Sequence, residues 1–153
     1  MRHLSIETKS SVDIGKAGMY KYAQSDDFEI LLFAYQEDGD PVQVVDLAQG
    51  EHIPRHILAA LVDPVFAKHA YNAAFEWYCL NRAGYMTPLE QWRGTMAHSL
   101  YCGYPAGLAA TGGAIGLPQD RRKMTVGKAL IKYFCTPCKP TKSNGGRTWN
   151  LPH

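Results

Sequence analysis

Ser5-Ile6-Glu7-Thr8, near the start of the chain, has a spacing that could serve metal chemistry. Residues 5 and 7 of a β-strand point to the same face, so two carboxylates there would lie side by side. Such a pair suits hard divalent cations that activate water. Position 5 is serine in this chain, and Glu7 alone remains. The alternative is that Glu7 is a solvated residue at the end of a strand.

A second candidate lies at Asn72 to Glu76. Asn72 is well placed to begin a helix and to accept hydrogen bonds from the N–H groups of its first turn. Glu76 stands one position past the capping-box place, so capping does not account for it. We expect Glu76 either to project over a metal site at the strand edge or to be an exposed glutamate favoured by the helix dipole.

A third candidate is the pair Cys135 and Cys138. A complete set of two such pairs would indicate structural zinc, but Cys79 and Cys102 do not form a second pair. We expect two free thiols and no zinc. In the nearby sequence Asn144-Gly145-Gly146-Arg147, the glycines either let the backbone approach a phosphate or form an ordinary turn.

Charge is divided unevenly along the chain. Residues 1–120 hold 8 Lys/Arg and 14 Asp/Glu, whereas residues 121–153 hold 8 Lys/Arg and no acid. Such a basic segment is typical of a contact with a polyanion. Aromatic residues accompany these charges, at Tyr133, Phe134 and Trp149, and could stack on bases. A solvated basic tail without a partner is the alternative.

The composition describes the background on which these residues lie. With 153 residues, 46% apolar and 20% charged, the chain is long enough for one domain and too apolar to be disordered. We find no apolar run long enough to cross a membrane and no signal-peptide pattern, and we expect a cytoplasmic protein. The domain is predicted to occupy residues 1–134, with residues 135–153 forming its basic, Pro/Gly-rich C-terminal loop.

Hydrophobic patterns predict an α/β layer fold. The strands are predicted at residues 4–6, 28–36, 42–47 and 65–71, with a hairpin turn at residues 37–41. The helices are predicted at residues 53–62, 73–83, 95–102, 108–115 and 125–134.

The segments together resemble a known family. They read LSIETKSSVDIGKAGMYKYAQSDDFEILLFAY, VQVVDLAQGE, KHAYNAAFEWYCL, EQWRGTMAHSLYCGYPAGL and KALIKYFCTPCKPTKSNGGRTWNLP. The sequence is similar to the N-terminal 3′–5′ exonuclease domain of phage-type family A DNA polymerases, which belongs to the DnaQ-like, ribonuclease H-like group. The resemblance implies a mixed sheet flanked by helices and hydrolysis of single-stranded DNA with two Mg²⁺ or Mn²⁺ ions.

The resemblance also assigns residues. Glu7 matches the second carboxylate of the family's first motif, and Ser5 stands where the first would be. Asn72, Phe75 and Glu76 match the second motif. The third motif, a Tyr and an Asp on a later helix, would lie beyond Pro152. We therefore expect a trimmed first strand, a missing last catalytic helix and two of four metal carboxylates.

These losses imply a domain that binds DNA and hydrolyses it weakly or not at all. Its remnant catalytic and metal residues would be Glu7 and Glu76, with Mg²⁺ or Mn²⁺ weakly held or absent. The residues assigned to single-stranded DNA are Asn72, Phe75, Lys139, Lys142, Arg147 and Trp149. One alternative is a phage-borne inhibitor that binds a nucleic-acid-binding host defence protein, such as a CRISPR effector. Another is a live exonuclease completed by a partner subunit.

Overall fold

A five-stranded mixed sheet forms the centre of the protein. The structure, a computed structural model, describes residues 1–10, 18, 20, 21, 23–26, 28–134 and 138–146. The strands are β1 (Arg2–Ser10), β2 (Ile30–Glu37), β3 (Gln43–Asp46), β4 (Phe66–Ala70) and β5 (Trp92–Gly94). Their order is β3-β2-β1-β4-β5; β1 pairs antiparallel with β2 and parallel with β4.

Five α-helices accompany the sheet in the described part of the chain. They are α1 (Arg55–Val62), α2 (Ala73–Arg82), α3 (Thr95–Tyr101), α4 (Leu108–Ala114) and α5 (Thr125–Phe134). All five were predicted within two residues of these bounds. The α/β class and the mixed sheet expected of a ribonuclease H-like fold are confirmed.

The first strand is longer than the sequence predicts. β1 has nine residues, and its partnership with β2 runs from Leu4 opposite Glu37 to Ser10 opposite Ile30. The predicted bounds of residues 4–6 are therefore too short, whereas trimming relative to the family's strand stays a prediction. Only Leu4 and Ile6 supply an apolar signal, because Thr8 and Ser10 continue the buried face with polar side chains.

The hairpin between β2 and β3 is confirmed. Asp38 and Gly39 both have positive φ, 44° and 90°, and the N–H of Asp40 donates to the carbonyl of Glu37 at 2.8 Å. Two successive left-handed residues favour Asp-Gly because glycine has no Cβ to clash there. The near-continuous apolar run at residues 28–36 is typical of a strand covered on both faces, but Leu32 of β2 is exposed.

The main core lies between one face of the sheet and helices α1 and α2. A single cluster joins buried residues of β1, β2, α1, α2 and β5: Leu4, Ile6, Phe33, Ile57, Leu61, Leu80 and Trp92. The spacing of Ile57, Ala60 and Leu61 places one face of α1 on this cluster. The opposite face of β1 carries Ser5 and Glu7, which the core leaves uncovered.

A lysine lies inside this core region. Lys68 on β4 is fully buried, and its ammonium donates to the carbonyls of Asp63 and Phe66, at 2.8 and 3.0 Å, and to the side chain of Gln91. Every N–H of the ammonium can thus meet an acceptor. Burial lowers the pKa of Lys68.

No helix in the described residues has the length and apolar character needed to cross a bilayer.

Candidate nucleic-acid site on the face of β1

Glu7 and Thr8, both in the first predicted motif, lie on opposite faces of β1. Their side chains point to opposite sides because neighbours on a strand alternate. Glu7 is exposed, whereas Thr8 is buried toward α2. Ser5 lies on the same face as Glu7 and pairs in register with His69 on β4.

Glu76 is held by Thr8. It occupies the first turn of α2, is only 4% exposed, and accepts hydrogen bonds from the backbone N–H of Thr8, at 3.0 Å, and from its hydroxyl. The pairing of β4 with β1 ends at Ser5 and His69, so Thr8 lies beyond it. The carboxylate of Glu76 therefore supplies an acceptor to a sheet N–H that β4 does not reach.

Burial sets the protonation of Glu76. Loss of hydration raises its pKa from 4.5 to about 7, and the charge of Glu7 adds to the rise, while the hydrogen bonds from Thr8 oppose it. The interpretation of Glu76 as an exposed glutamate favoured by the helix dipole is wrong. The contacts were invisible in the sequence because they join positions 68 residues apart.

Glu7 is paired with a cation of its own strand. The ammonium of Lys9, two residues away and on the same face, forms an ion pair with the Glu7 carboxylate and also donates to the carbonyl of Thr8 at 3.2 Å. Among the described residues no three His, Cys, Asp or Glu side chains come together as a metal site. Metal binding by Glu7 and Glu76 stays a prediction.

Asn72 and Phe75 lie at the start of α2. Asn72 is the N-cap residue, and its carbonyl accepts from the N–H groups of Phe75 and Glu76 at 2.9 and 3.3 Å. Its side chain makes no capping hydrogen bond, in contrast to the prediction. Phe75 is half-buried and packs against a small cluster formed by Ala23 and Cys79. These positions do not test whether Asn72 or Phe75 contacts nucleic acid, so that assignment stays a prediction.

A pocket of about 370 Å³ opens beside Glu7. Its charged lining consists of Glu7, Lys9, Arg121, Arg122 and Lys123. Because Lys9 is paired with Glu7, the cations of residues 121–123 give the pocket an excess of positive charge. Apolar side chains line the rest of it, from Leu108, Leu117 and Met124.

The basic side of this pocket has a defined position. Residues 119–121 form a 3₁₀ turn after α4, and the guanidinium Nε of Arg122 donates to the carbonyl of Leu117 at 2.6 Å. The Arg121-Arg122-Lys123 run was visible as part of the basic segment. Its position beside Glu7 was not predicted, because the two segments are more than 110 positions apart in the sequence.

The residues assigned to DNA in the basic tail are partly described. Lys139 and Lys142 are exposed beside a turn in which the Asn144 side chain accepts from the N–H of Thr141 at 2.9 Å and of Gly146 at 3.1 Å. The turn interpretation of residues 144–146 agrees with this geometry. Arg147, Trp149 and Cys135 lie outside the described residues. Cys138 is half-buried, and the side-chain amide of Asn144 donates to its sulfur at 3.6 Å.

The fold and this face define an α/β domain with a mixed sheet and a basic pocket beside the strand that carries Glu7. No family model matches the chain. The chain is 49% identical over 150 residues to a DNA polymerase of Bacillus phage SP02, an alignment that covers 97% of this chain and 23% of that protein. The chain is therefore related to about a quarter of a phage DNA polymerase, which confirms the resemblance to phage-type polymerases.

A solved structure was also compared. The alignment with the crystal structure of the EXD2 exonuclease domain covers 84% of the present chain and 67% of the EXD2 chain. The sequence identity is 14% and the TM-score is 0.42.

Proposed function

We propose that this chain is an exonuclease-like domain that binds single-stranded DNA and hydrolyses it slowly or not at all. The observation that carries the proposal is the ion pair of Glu7 with Lys9 inside a pocket rimmed by Arg121, Arg122 and Lys123. The relationship to a phage DNA polymerase supports DNA as the ligand. Activity, substrate and partners of the whole relative are carried over here only as proposals.

The charges argue against efficient two-metal hydrolysis. Two Mg²⁺ ions lying a few Å apart need several carboxylates to offset their repulsion. Position 5 supplies a hydroxyl, Glu7 is neutralised by Lys9, and Glu76 has a pKa of about 7. A divalent cation would have to displace the Lys9 ammonium and deprotonate a buried acid, and both changes cost free energy.

The same charges favour a phosphodiester backbone. Cations at the rim of a pocket attract phosphates and release their counterions on binding. Apolar side chains of Leu108, Leu117 and Met124 provide surface for an unstacked base. The pocket thus combines the two features that sequence-independent binding of a single strand requires.

A double substitution tests this proposal. Arg121→Ala/Lys123→Ala should weaken binding to a single-stranded oligonucleotide and flatten the plot of log K against log salt by about 1.4 units, at about 0.7 per lost phosphate contact. Fluorescence anisotropy in EDTA measures both quantities. Arg122 is not substituted because its guanidinium donates a hydrogen bond to the carbonyl of Leu117.

The matched control is Arg55→Ala/Arg82→Ala. Both arginines are exposed, on the helices that cover the other face of the sheet. This control removes the same charge and should leave the slope nearly unchanged. Equal losses in the two double variants would contradict a local site at the pocket.

A second candidate function is binding to a host defence protein as an inhibitor. It is favoured by the apolar side of α5, where Val126 and Leu130 are 62% and 50% exposed and Tyr133 is exposed one turn further on. Val126 and Leu130 lie four residues apart, on one face of the helix, and that face is not buried. Val126→Ser/Leu130→Ser should abolish such protein binding and leave DNA affinity intact, whereas Arg121→Ala/Lys123→Ala should do the reverse.

A further inference from the structure

Three histidines and an arginine from four different elements surround a second pocket, of about 290 Å³. His3 lies on β1, His69 on β4, Arg93 on β5 and His98 on α3. Register places them together: Ser5 pairs with His69, and His69 pairs with Arg93 in the parallel ladder. This pocket lies on the same face of β1 as Glu7, four residues or roughly 13 Å along the strand.

His3 and His69 are joined directly. Nδ1 of His3 and Nε2 of His69 are 2.9 Å apart, so one of them donates to the other. A single added proton is compatible with this bond, because one ring then donates and the other still accepts. A second proton would make both nitrogens donors and break the bond. The pair is therefore built to take up one positive charge.

The remaining groups around the pair favour an anion. Arg93 uses Nη1 for hydrogen bonds to the carbonyls of Glu90 and Trp92, at 2.7 and 2.8 Å, which leaves Nε and Nη2 for a ligand. His98 is exposed at the rim. The pocket lining contains no carboxylate among the described residues.

Charged groups reach the histidine pair from several elements. Besides Arg93 and His98, the chain-terminal residue Met1 lines the pocket. Two acids lie on the neighbouring strand end. Asp38 accepts from the backbone N–H of His3 at 2.6 Å and from Nε of Arg2 at 2.8 Å, and Glu37 forms an ion pair with the same Arg2. Burial, and then the charges of His3 and Arg93, lower the pKa of His69, so His69 is suited to remain the acceptor within the pair.

We propose that this pocket is a phosphate-binding site, in which the His3–His69 pair, His98 and Arg93 hold one phosphate group when the pair is protonated. The group is either a free phosphate or one phosphate of a DNA backbone that extends from the basic pocket beside Glu7. The second source rests on the proposed function; the first does not. Binding through the pair takes up a proton, so affinity falls as the pH rises.

The test uses inorganic sulfate, whose charge is constant between about pH 5.5 and pH 8. Titration followed by the histidine ring resonances should show binding that is about tenfold or more tighter at pH 5.5 than at pH 8, because histidine is the side chain whose charge changes in this range. His98→Gln and His69→Gln should each weaken it. The control His52→Gln removes an exposed histidine outside the pocket and should change nothing. Equal affinity at both pH values, or no loss in His98→Gln and His69→Gln, would overturn the proposal.

Two further ligands distinguish the sources. An oligonucleotide without terminal phosphates should bind with the same pH dependence if the pocket holds a backbone phosphate. His3→Gln, which removes the ring of the pair that takes up the proton, should then abolish that dependence. If only a thymidine monophosphate shows the effect, the site takes free phosphate esters. If the protein binds sulfate but no oligonucleotide, the proposed DNA function is refuted and the phosphate site is still supported.

Discussion

The backbone N–H and the hydroxyl of Thr8 both donate to one carboxylate oxygen of Glu76, across 68 positions of sequence. This contact ties the first turn of α2 to β1 where the parallel strand β4 has already ended. Glu76 thus has a structural role. Its carboxylate could bind a metal ion only after the hydrogen bonds from Thr8 rearrange. The contact should therefore affect both the stability of the fold and the capacity of Glu76 to take part in catalysis.

Folding stability should depend on pH through Glu76. Its pKa is about 7 in the folded protein against an ordinary 4.5, so the native state retains a proton that the unfolded chain has lost. The free energy of unfolding should therefore fall by up to about 3 kcal/mol as the pH rises from about 4.5 to about 7. Glu76→Gln, whose amide oxygen can still accept from Thr8, should flatten this decline and raise stability at about pH 8. Urea unfolding at a series of pH values measures it.

Glu90→Gln serves as the control, since Glu90 is exposed on a surface turn. It should retain the pH profile of the parent. A Glu76→Gln profile with the parent's slope would show that another group titrates.

Restoring one carboxylate should not restore nuclease activity. Ser5→Asp would place an acid on the face of Glu7, but Lys9 still pairs with Glu7 and Glu76 still bonds to Thr8. Groups that act as one catalytic unit are strongly non-additive. In a gel assay with Mg²⁺, Ser5→Asp should shorten a single-stranded oligonucleotide no faster than Ser5→Asn. Rapid shortening by Ser5→Asp alone would refute this.

Lys68→Met should destabilise the fold. The substitution keeps the length of the side chain but removes the ammonium that donates to the carbonyl of Phe66 and to the side chain of Gln91. The carbonyl of Asp63 keeps only the N–H of Phe66, at 3.2 Å. Buried acceptors left unpaired cost about 1–3 kcal/mol. Thermal and urea unfolding should show such a loss, while Lys139→Met, at an exposed position, should show little change. A Lys68→Met variant as stable as the parent would mean that desolvation of the ammonium had cancelled its hydrogen bonds.

The basic tail offers a separate prediction. If residues 121–153 contact a single strand, Lys139→Ala/Lys142→Ala/Arg147→Ala should flatten the salt dependence by about 2 units. Trp149→Ala should cost about 1–3 kcal/mol of binding and leave the slope unchanged, because stacking involves no counterion release. A Trp149→Ala variant that instead melts at lower temperature with normal affinity would place the indole in the folded domain's packing.

Local patterns predicted most of the fold. Helical spacing located α1 to α5, and the Asp38-Gly39 pair identified the hairpin, because each depends on residues close in sequence. The length of β1 was missed, since its second half buries Thr8 and Ser10 rather than apolar side chains. Period-two burial by polar residues leaves no hydrophobic signal.

The site was predicted less completely than the fold. Glu7 and Glu76 were found from motif spacing, but their partners Lys9 and Thr8 were not. The basic pocket joins Arg121 and Lys123 to Glu7 from distant parts of the sequence, and the histidine pair depends on the register of β4. Such tertiary juxtapositions are set by packing between distant segments, which a single sequence does not display.

Our central proposal is that single-stranded DNA binds at the basic pocket beside Glu7 without a metal ion and is not hydrolysed. The most direct measurement incubates a 5′-labelled single-stranded oligonucleotide with the protein in EDTA, Mg²⁺ or Mn²⁺ at constant ionic strength, records anisotropy, and then runs the same samples on a denaturing gel. We expect the same dissociation constant in all three conditions and an oligonucleotide of unchanged length. Binding that appears only with a divalent cation, accompanied by shortening from the 3′ end, would contradict it.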